Sequence, residues 1–407
     1  MEVASRKKES ENSKRTGKNL RWLNARVFKI VSQIFIYLRK LELETKSQIE
    51  GKLAMRHSQR AKYNRSLYLA ALLPTRRVNR RQGQLLGDEL LTKCQAMKLP
   101  EYKEVRGVPI SKSFSTEAFL SGLEYVPQEG DIFIDTFPKC GTTWTQNILM
   151  IMARRGKPFE DFDQFLKCTP FLENLGKECI ERMPRPGIIK THLPYSLTPI
   201  SPSAKYVYVT RNPKDACVSL YHHAKGFANY NFDGTFDDFF ELFIQGKADY
   251  GDYFDHTLAW YEHRNDPNVF FTSYEELKAD TKDIVLKMAK FLDTDWSRLA
   301  ISDSQVLDNT LKYSSTKEMK KLVKYQESLI KIKENKEDVP EGLKHFAECI
   351  PDKLNETQKN FEFVRKGVVG DWKSHMSKEQ SKRMDSLMKE RLKNTYMLPY
   401  WQSLGIL

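Results

Sequence analysis

Residues 131–144 constrain the fold of this chain more than any other segment. They run from an apolar stretch, Asp-Ile-Phe-Ile-Asp-Thr-Phe, into Pro-Lys-Cys-Gly-Thr-Thr-Trp, and a run of helical character follows at 145–155. This order predicts a buried strand, a tight glycine turn and the start of a helix. Free backbone N–H groups and the helix dipole make such a helix start an anion site. The segment therefore indicates a nucleotide bound through its phosphate groups.

The side chains around this turn favour the same interpretation. Lys139 adds a mobile positive charge, while Thr142 and Thr143 add hydroxyl donors. Trp144 offers a flat face on which a ring can stack. The turn is not a Walker A motif, in which the lysine follows the second glycine, because Lys139 precedes Gly141. A Mg-ATP kinase is therefore disfavoured.

Two later segments repeat the pattern of an apolar strand that ends in polar side chains. Residues 188–191 lead into His192, and residues 206–210 lead into Arg211, with Ser219 eight positions further on. Ligands of open parallel sheets gather at the carboxyl ends of the strands. Histidine can accept a proton near neutral pH, and arginine can hold a phosphate through two parallel N–H bonds. Taken alone, a structural histidine and a surface ion-pair arginine are the plainer interpretations.

The order of these segments resembles that of the cytosolic sulfotransferases. Members of that family transfer a sulfuryl group from 3′-phosphoadenosine-5′-phosphosulfate (PAPS) and release 3′,5′-adenosine bisphosphate (PAP). Here Pro-Lys-Cys-Gly-Thr-Thr-Trp resembles the 5′-phosphosulfate loop, Lys-Thr-His-Leu-Pro at 190–194 the catalytic-base motif, and residues 211–219 the 3′-phosphate motif. Arg-Lys-Gly-Val-Val-Gly-Asp-Trp at 365–372 resembles the C-terminal signature, and residues 271–277 and 314–319 are weaker matches. The resemblance covers about residues 95–390.

The resemblance implies an α/β fold: a single domain with a central parallel β-sheet flanked by helices and a P-loop-like phosphosulfate-binding loop. It implies sulfuryl transfer to a hydroxyl or amine of a small acceptor. His192 would be the base, Lys139 would stabilise the leaving group, Lys190 would help hold the transferring group, and Ser219 would restrain Lys139. No metal would be required. The residues implied to bind the donor are Lys139, Cys140, Gly141, Thr142, Thr143, Trp144, Arg211, Ser219, Tyr274, Ser314, Arg365, Lys366 and Gly367.

Several positions depart from the family pattern. Cys140 replaces a serine, and a thiol beside Lys139 and a helix start is expected to have a lowered pKa and to react readily. Thr316 stands where the family has an aromatic ring, so one stacking face is expected to be lost. Residues 320–360 are longer than the family's lid segment, which affects the roof of the acceptor pocket. The family's dimerisation pattern is altered at 373–382, which favours a monomer or a non-standard dimer.

The charge of the chain is concentrated in residues 1–86, predicted to be a partly disordered basic extension of a sulfotransferase domain at 87–407. The extension holds 21 of the 66 basic residues and 6 of the 53 acidic ones, so the remainder, with 45 and 47, is close to neutral. A nucleic-acid partner is therefore not expected. Apolar residues at helical spacing predict an amphipathic helix at about 21–43, interrupted by Lys29, Ser32 and Gln33, so that no membrane span is expected. The extension is read as a weak membrane contact, a targeting peptide or a dispensable addition.

The six cysteines show no zinc spacing, which favours reduced thiols in a cytoplasmic protein. Aromatic residues at 225–262 predict two amphipathic core helices. The turn at 246–254 is a candidate lining for an acceptor pocket, which would favour phenols, sterols or other apolar alcohols. Two alternatives stay open at this point: a nucleotide-binding but non-catalytic module that binds a partner, and a phosphotransferase of P-loop type.

Overall fold

The structure, a computed structural model, describes residues 99–334 and 339–407. These residues belong to one unit, Met97–Leu407. The predictions for residues 1–86, including the helix at about 21–43, lie outside the described residues. Within the described ranges, no helix is long and apolar enough to cross a lipid bilayer.

A four-stranded parallel sheet forms the centre of this unit. A short antiparallel hairpin, β1 (Tyr102–Val105) and β2 (Val108–Ser111), precedes it in the chain. The strands of the central sheet are β3 (Ile132–Asp135), β4 (Ile188–Thr191), β5 (Lys205–Thr210) and β6 (Val269–Ser273). Their spatial order is β4-β3-β5-β6, and all three pairings are parallel. The predicted central parallel sheet is confirmed.

Helices connect and cover these strands. Those before β5 are α1 (Thr116–Leu123), α2 (Thr142–Ala153), α3 (Phe162–Cys168), α4 (Leu172–Leu175) and α5 (Lys177–Glu181). Those between β5 and β6 are α6 (Pro213–Gly226), α7 (Phe236–Ile244) and α8 (Tyr253–Glu262). Those after β6 are α9 (Tyr274–Ala279), α10 (Thr281–Leu292), α11 (Asp295–Ser302), α12 (Ser304–Tyr313), α13 (Thr316–Leu322), α14 (Tyr325–Glu334), α15 (Glu341–Glu348), α16 (Glu356–Lys359), α17 (Lys378–Arg391) and α18 (Met397–Ser403). The two helices predicted within 225–262 are α7 and α8, and most of their aromatic side chains are buried as predicted.

The core lies on both faces of the sheet. Side chains of successive strand residues point to opposite faces, so β5 contributes Tyr206 and Tyr208 to one cluster and Val207 and Val209 to the other. β3 does the same, with Phe133 in the first cluster. A strand covered on both faces must be apolar along its whole length. That requirement explains the continuous apolar runs from which these strands were predicted.

The strand order reverses between β3 and β5. From β3 the chain moves to β4 on one side, and it then crosses to β5 on the other side. Such a switch point opens a crevice outside the carboxyl ends of the strands, where α/β proteins bind ligands. The loop after β3 and Arg211 after β5 both lie at this crevice.

Candidate active site

The turn after β3 is shaped by two left-handed residues. Lys139 has φ 68° and Gly141 has φ 110°, and the first conformation is uncommon for a side chain such as lysine. Gly141 also lies against the ring of Tyr274, because a Cβ atom built there would come within 3.0 Å of it. Glycine is therefore required at 141 by both backbone angle and space.

Helix α2 begins directly after this turn. The expected start at residue 145 is wrong by three positions, since the helix begins at Thr142 with Gly141 as its N-cap. The glycine offers no capping side chain, so the first N–H groups of the helix stay open toward the crevice. Trp144 lies in the same turn, where its indole N–H donates to the carbonyl of Ser314 at 2.8 Å. Its ring meets Tyr274 edge to face at 5.5 Å.

Cys140 does not have the reactivity expected of it. Its side chain is fully buried, and burial raises the pKa of the thiol far above its ordinary value despite the lowering effect of Arg211 and Lys139. Its backbone N–H already donates to the carbonyl of Phe137. The prediction of a lowered pKa is wrong, because desolvation of the thiolate outweighs the neighbouring positive charges.

His192 is held from three sides at the end of β4. Nδ1 lies 2.8 Å from the backbone carbonyl oxygen of Thr136, which can only accept a hydrogen bond. Nδ1 therefore carries the proton of the neutral ring, and Nε2 has the free lone pair. The backbone N–H of His192 donates to Glu173 at 2.7 Å, and its carbonyl accepts from His256 at 3.0 Å.

Two lysines, the half-buried Lys139 and the buried Lys190, act electrostatically on this histidine. The Lys139 ammonium lies 3.8 Å from the ring centre of Phe363, and that of Lys190 lies 3.9 Å from Phe171. Burial, with the charge of Lys190 in addition, lowers the pKa of Lys139 to about 7. Burial lowers the pKa of Lys190 to about 8 against the opposing charge of Glu173. Burial and the charge of Lys190 hold the pKa of His192 well below its ordinary value, so the neutral imidazole prevails at neutral pH.

Arg211 fastens the turn after β3 to the C-terminal part of the chain. Its guanidinium donates to the carbonyl of Lys139 and to that of Val368, each at 3.2 Å. The same group lies over the ring of Tyr274, 4.4 Å from its centre. Its Nε is buried without a hydrogen-bond partner among the described residues. Arg211 thus joins the turn after β3 to the C-terminal signature.

The C-terminal signature is clamped to the first turn of α6. Asp215 accepts from the backbone N–H of Gly370 at 2.7 Å and from that of Trp372 at 2.9 Å. Asp371 in the same segment pairs with Arg365 and Lys366, each at 2.5 Å. Burial opposes ionisation of Asp371, but the hydrogen bonds from Lys366 and Arg365 outweigh it and lower the pKa to about 2.

Gly367 closes the signature against α13. It has φ 66°, and a Cβ atom there would come within 2.9 Å of the side chain of Thr316. Thr316 lines the crevice at this point. The threonine that replaces the family's aromatic residue therefore packs against a glycine of the C-terminal segment.

All predicted site residues except Cys140 line one cavity of about 1320 Å³, counting its open mouth. The charged and polar end carries Lys139, Gly141, Thr142, Thr143, Trp144, Lys190, Arg211, Ser219, Tyr274, Ser314, Arg365, Lys366 and Gly367. The other end, beyond His192, is aromatic, with Phe114, Phe171, Phe227, Tyr230, Tyr250 and Phe346. Of the turn at 246–254, Asp249 and Tyr250 line the cavity. The segment 320–360 supplies Tyr325 and Phe346.

Sequence reasoning missed several residues of this site. Lys278 lines the cavity and its ammonium lies 5.2 Å from the ring centre of Trp144; its position four residues after Tyr274, on one helix face, was an available signal. For Glu173 and Thr136, which hold His192, the sequence offered no signal. Asp249 is one of three acids in the aromatic stretch 249–255, and the sequence did not distinguish it from the other two.

Comparison with known proteins identifies the family. A sulfotransferase domain model matches residues 129–396. The chain is 34% identical over 280 residues to the amine sulfotransferase of Oryctolagus cuniculus, covering 67% of this chain and 84% of that protein. It is 31% identical over 312 residues to sulfotransferase 1E1 of Homo sapiens, covering 72% of this chain and 94% of that protein. The chain belongs to the sulfotransferase family and is a sulfotransferase enzyme.

Solved structures agree with this assignment. The mouse sulfotransferase SULT7A1 complexed with PAP superposes with a TM-score of 0.56 at 29% identity, covering 74% of this chain and 99% of that one. A retinol dehydratase in complex with androsterone and PAP shares the fold, with a TM-score of 0.51 at 21% identity, covering 75% of this chain and 94% of that one. The predicted family, fold class and enzyme class are confirmed.

Proposed function

We propose that this protein transfers a sulfuryl group from PAPS to a hydroxyl or amine of a small apolar or phenolic acceptor. The bond from sulfur to the bridging oxygen of the donor breaks, and a bond from sulfur to the acceptor atom forms. The acceptor loses its proton, and PAP leaves with an added negative charge. The residues have to accept that proton and to balance that charge.

The single observation that carries the proposal is the hydrogen bond from His192 to the carbonyl of Thr136. It leaves the Nε2 lone pair free in a residue that lines the cavity. The low pKa of the imidazole keeps this lone pair unprotonated at neutral pH. His192 would thus act as general base toward the acceptor hydroxyl.

Lys139 supplies the positive charge for the leaving group. It lies in the turn whose next residues open α2, so its ammonium and the free N–H groups of Thr142 and Thr143 face one crevice. Such preorganised donors stabilise a charge that develops in the transition state. Lys190, at the end of the adjacent strand β4, would help to hold the transferring group.

The 3′-phosphate of the donor fits the cations around the C-terminal signature. Arg211, Arg365 and Lys366 line the same cavity as Ser219 of α6. A phosphate there would take over part of the hydrogen bonding that Arg365 and Lys366 now give to Asp371. Tyr274 and Trp144 would border the adenine ring of the donor. Thr316 stands where an aromatic ring was expected on the other side of the adenine.

The test is transfer of labelled sulfate from PAPS by the full chain to a panel of phenols, sterols, alcohols and amines. Each reaction is run with and without EDTA, because Lys139 and the α2 N–H groups are proposed to supply the positive potential without a metal. We expect transfer that is insensitive to EDTA and is lost in His192→Ala. Tight PAP binding without transfer to any acceptor would contradict the catalytic proposal, and loss of activity with EDTA would contradict the metal-free mechanism.

A further inference from the structure

The aromatic end of the cavity contains a carboxylate without a counter-charge. Among the cavity-lining residues, the carboxylates are those of Asp249 and Asp371. Asp371 is paired with Arg365 and Lys366, whereas no described lysine, arginine or histidine forms an ion pair with Asp249. Glu173, behind the wall, accepts from the N–H of His192. Asp249 is therefore the acid left available to a ligand.

The Asp249 carboxylate is only half satisfied by its surroundings. Its side chain is 2% exposed. Oδ2 accepts the hydroxyl proton of Tyr230, while Oδ1 is buried and has no hydrogen-bond partner among the residues that the structure describes. Burial raises the pKa of the group to about 7 against the lowering effect of Tyr230 and the backbone of Ser111. Buried polar atoms are almost always paired, so the free oxygen is able to accept a hydrogen bond from a ligand.

The turn that carries Asp249 is rigid, which makes the position a built one. Tyr250 takes φ 62°, and its N–H donates to the carbonyl of Pro109 in β2 at 2.8 Å. Gly251 follows with φ 86°. The ring of Tyr250 meets that of His192 at 5.3 Å between centres. Asp249 is thus fixed one residue away from a side chain that contacts the base.

The charges of the cavity are divided between its ends. Lys139, Lys190 and Arg211 make the reacting end positive, which suits a donor with several negative charges and repels a cation. The aromatic rings beyond His192 attract cations through their faces, and an ammonium placed beside Asp249 favours the ionised form of its carboxyl group. An acceptor with an ammonium group is therefore oriented with that group away from the reacting end and its hydroxyl toward His192.

We infer that Asp249 selects acceptors that carry, besides the sulfated hydroxyl, a protonated amine, which pairs with the free Oδ1. This inference rests on the proposed sulfuryl transfer and specifies its acceptor. The ammonium stays protonated in the pair, so it is not the nucleophile, and the hydroxyl is the group that is sulfated. Asp249 is a specificity-determining residue in this scheme, and the proton still goes to His192.

The experiment compares matched phenols that differ only in the terminal group of the para side chain. The amines are 4-(aminomethyl)phenol, tyramine and 4-(3-aminopropyl)phenol; in the paired compounds the ammonium is replaced by methyl or by hydroxyl. For each pair, the ratio of kcat/KM values is measured for the wild-type chain and for Asp249→Asn. Asparagine keeps the volume and an oxygen that can accept from Tyr230. Asp308→Asn, a change at an exposed acid, is the matched control for net charge.

We expect the wild-type chain to prefer the amine of at least one pair, and Asp249→Asn to lower that preference by about 10- to 100-fold, the usual effect of a hydrogen bond to a charged group. Asp308→Asn should keep the wild-type preference. No preference for any amine, an equal preference for the hydroxyl analogue, or a preference unchanged in Asp249→Asn would overturn the inference while sulfation of the neutral phenols still supported the proposed function.

A binding measurement covers the case in which no sulfation is observed. If no compound is sulfated, the same pairs are titrated into the PAP-loaded enzyme by calorimetry. Tighter binding of an amine that is lost in Asp249→Asn would support the inference although the proposed function failed. Equal binding within every pair would overturn the inference as well.

Discussion

Replacement of His192 by asparagine is the sharpest test of the proposed base. The imidazole lies between Phe171 and Tyr250, with ring centres 5.2 and 5.3 Å away. Asparagine keeps an N–H donor within reach of the Thr136 carbonyl, which now accepts from Nδ1 at 2.8 Å. Alanine leaves that buried carbonyl unpaired, at a cost of about 1–3 kcal/mol in folding free energy. Neither residue accepts a proton near neutral pH.

The expected magnitude follows from these contacts. Loss of a general base lowers turnover by about 10²–10⁴-fold, equivalent to about 2.7–5.5 kcal/mol of activation free energy. The affinity of His192→Asn for PAP should differ from that of the wild-type chain by no more than about twofold, because residues without shared contacts act independently. Arg211, the cation that joins the turn after β3 to the C-terminal signature, hydrogen-bonds to the carbonyls of Lys139 and Val368 rather than to His192.

The assay measures initial rates of labelled sulfate transfer and, separately, PAP binding by calorimetry, for the wild-type chain, His192→Asn and His192→Ala. Thermal unfolding shows whether each variant is folded. Turnover of His192→Asn within tenfold of the wild-type rate would refute the assignment of the base. Loss of PAP affinity in a folded His192→Asn would instead show that the histidine belongs to the nucleotide site.

Three further predictions follow from the site. The unliganded Lys139 has a pKa of about 7, and its charged form is needed, so kcat/KM for PAPS should fall as pH rises through about 7. The value of kcat should persist to higher pH, because the bound anion keeps the lysine charged. A kcat/KM that stays constant from pH 6 to 9 would contradict this prediction. Iodoacetamide at pH 8 should label the exposed Cys349 well before the buried Cys140, and peptide mass spectrometry showing the reverse order would refute the burial argument. Asp215→Ala should lower the free energy of unfolding by about 3 kcal/mol, since two half-buried N–H groups lose a charged acceptor, and it should weaken PAP binding. Asp308→Asn should change stability by less than about 0.5 kcal/mol, and equal denaturation midpoints for the two variants would count against the clamp.

The parallel sheet and the charged end of the cavity were predictable from the sequence for one physical reason. A strand buried on both faces must be apolar throughout, and the polar residues that follow it must then lie at its carboxyl edge. Residues 188–189 and 206–209 are apolar and fully buried, and polar residues follow them, so the positions of His192 and Arg211 followed directly. The turn after β3 was equally readable because it needs a glycine at 141.

The properties that depend on burial were not readable. The neighbours of Cys140 in sequence, a lysine and a helix start, favour a low pKa, but the thiol lies in the core and the opposite holds. Glu173 comes from α4 and meets His192 only through the pairing of the folded chain. The environment of Asp249 is formed by Tyr230, which donates a hydrogen bond to it, and by aromatic residues that come from several separate elements. No spacing in the sequence records such encounters.

The clamp formed by Asp215 has a consequence for how the enzyme is made. Its carboxylate oxygens accept hydrogen bonds from backbone N–H groups that lie 155 and 157 positions later in the chain. Lys214 beside it reaches even further, to the carbonyl of Ile406, 192 positions away. During synthesis the sheet and the turn after β3 leave the ribosome well before the cations at 365 and 366. The donor site, and the part of the core that Met384, Met388 and Trp401 supply, are therefore completed only when the C-terminal segment docks, and PAP should favour that last step by mass action.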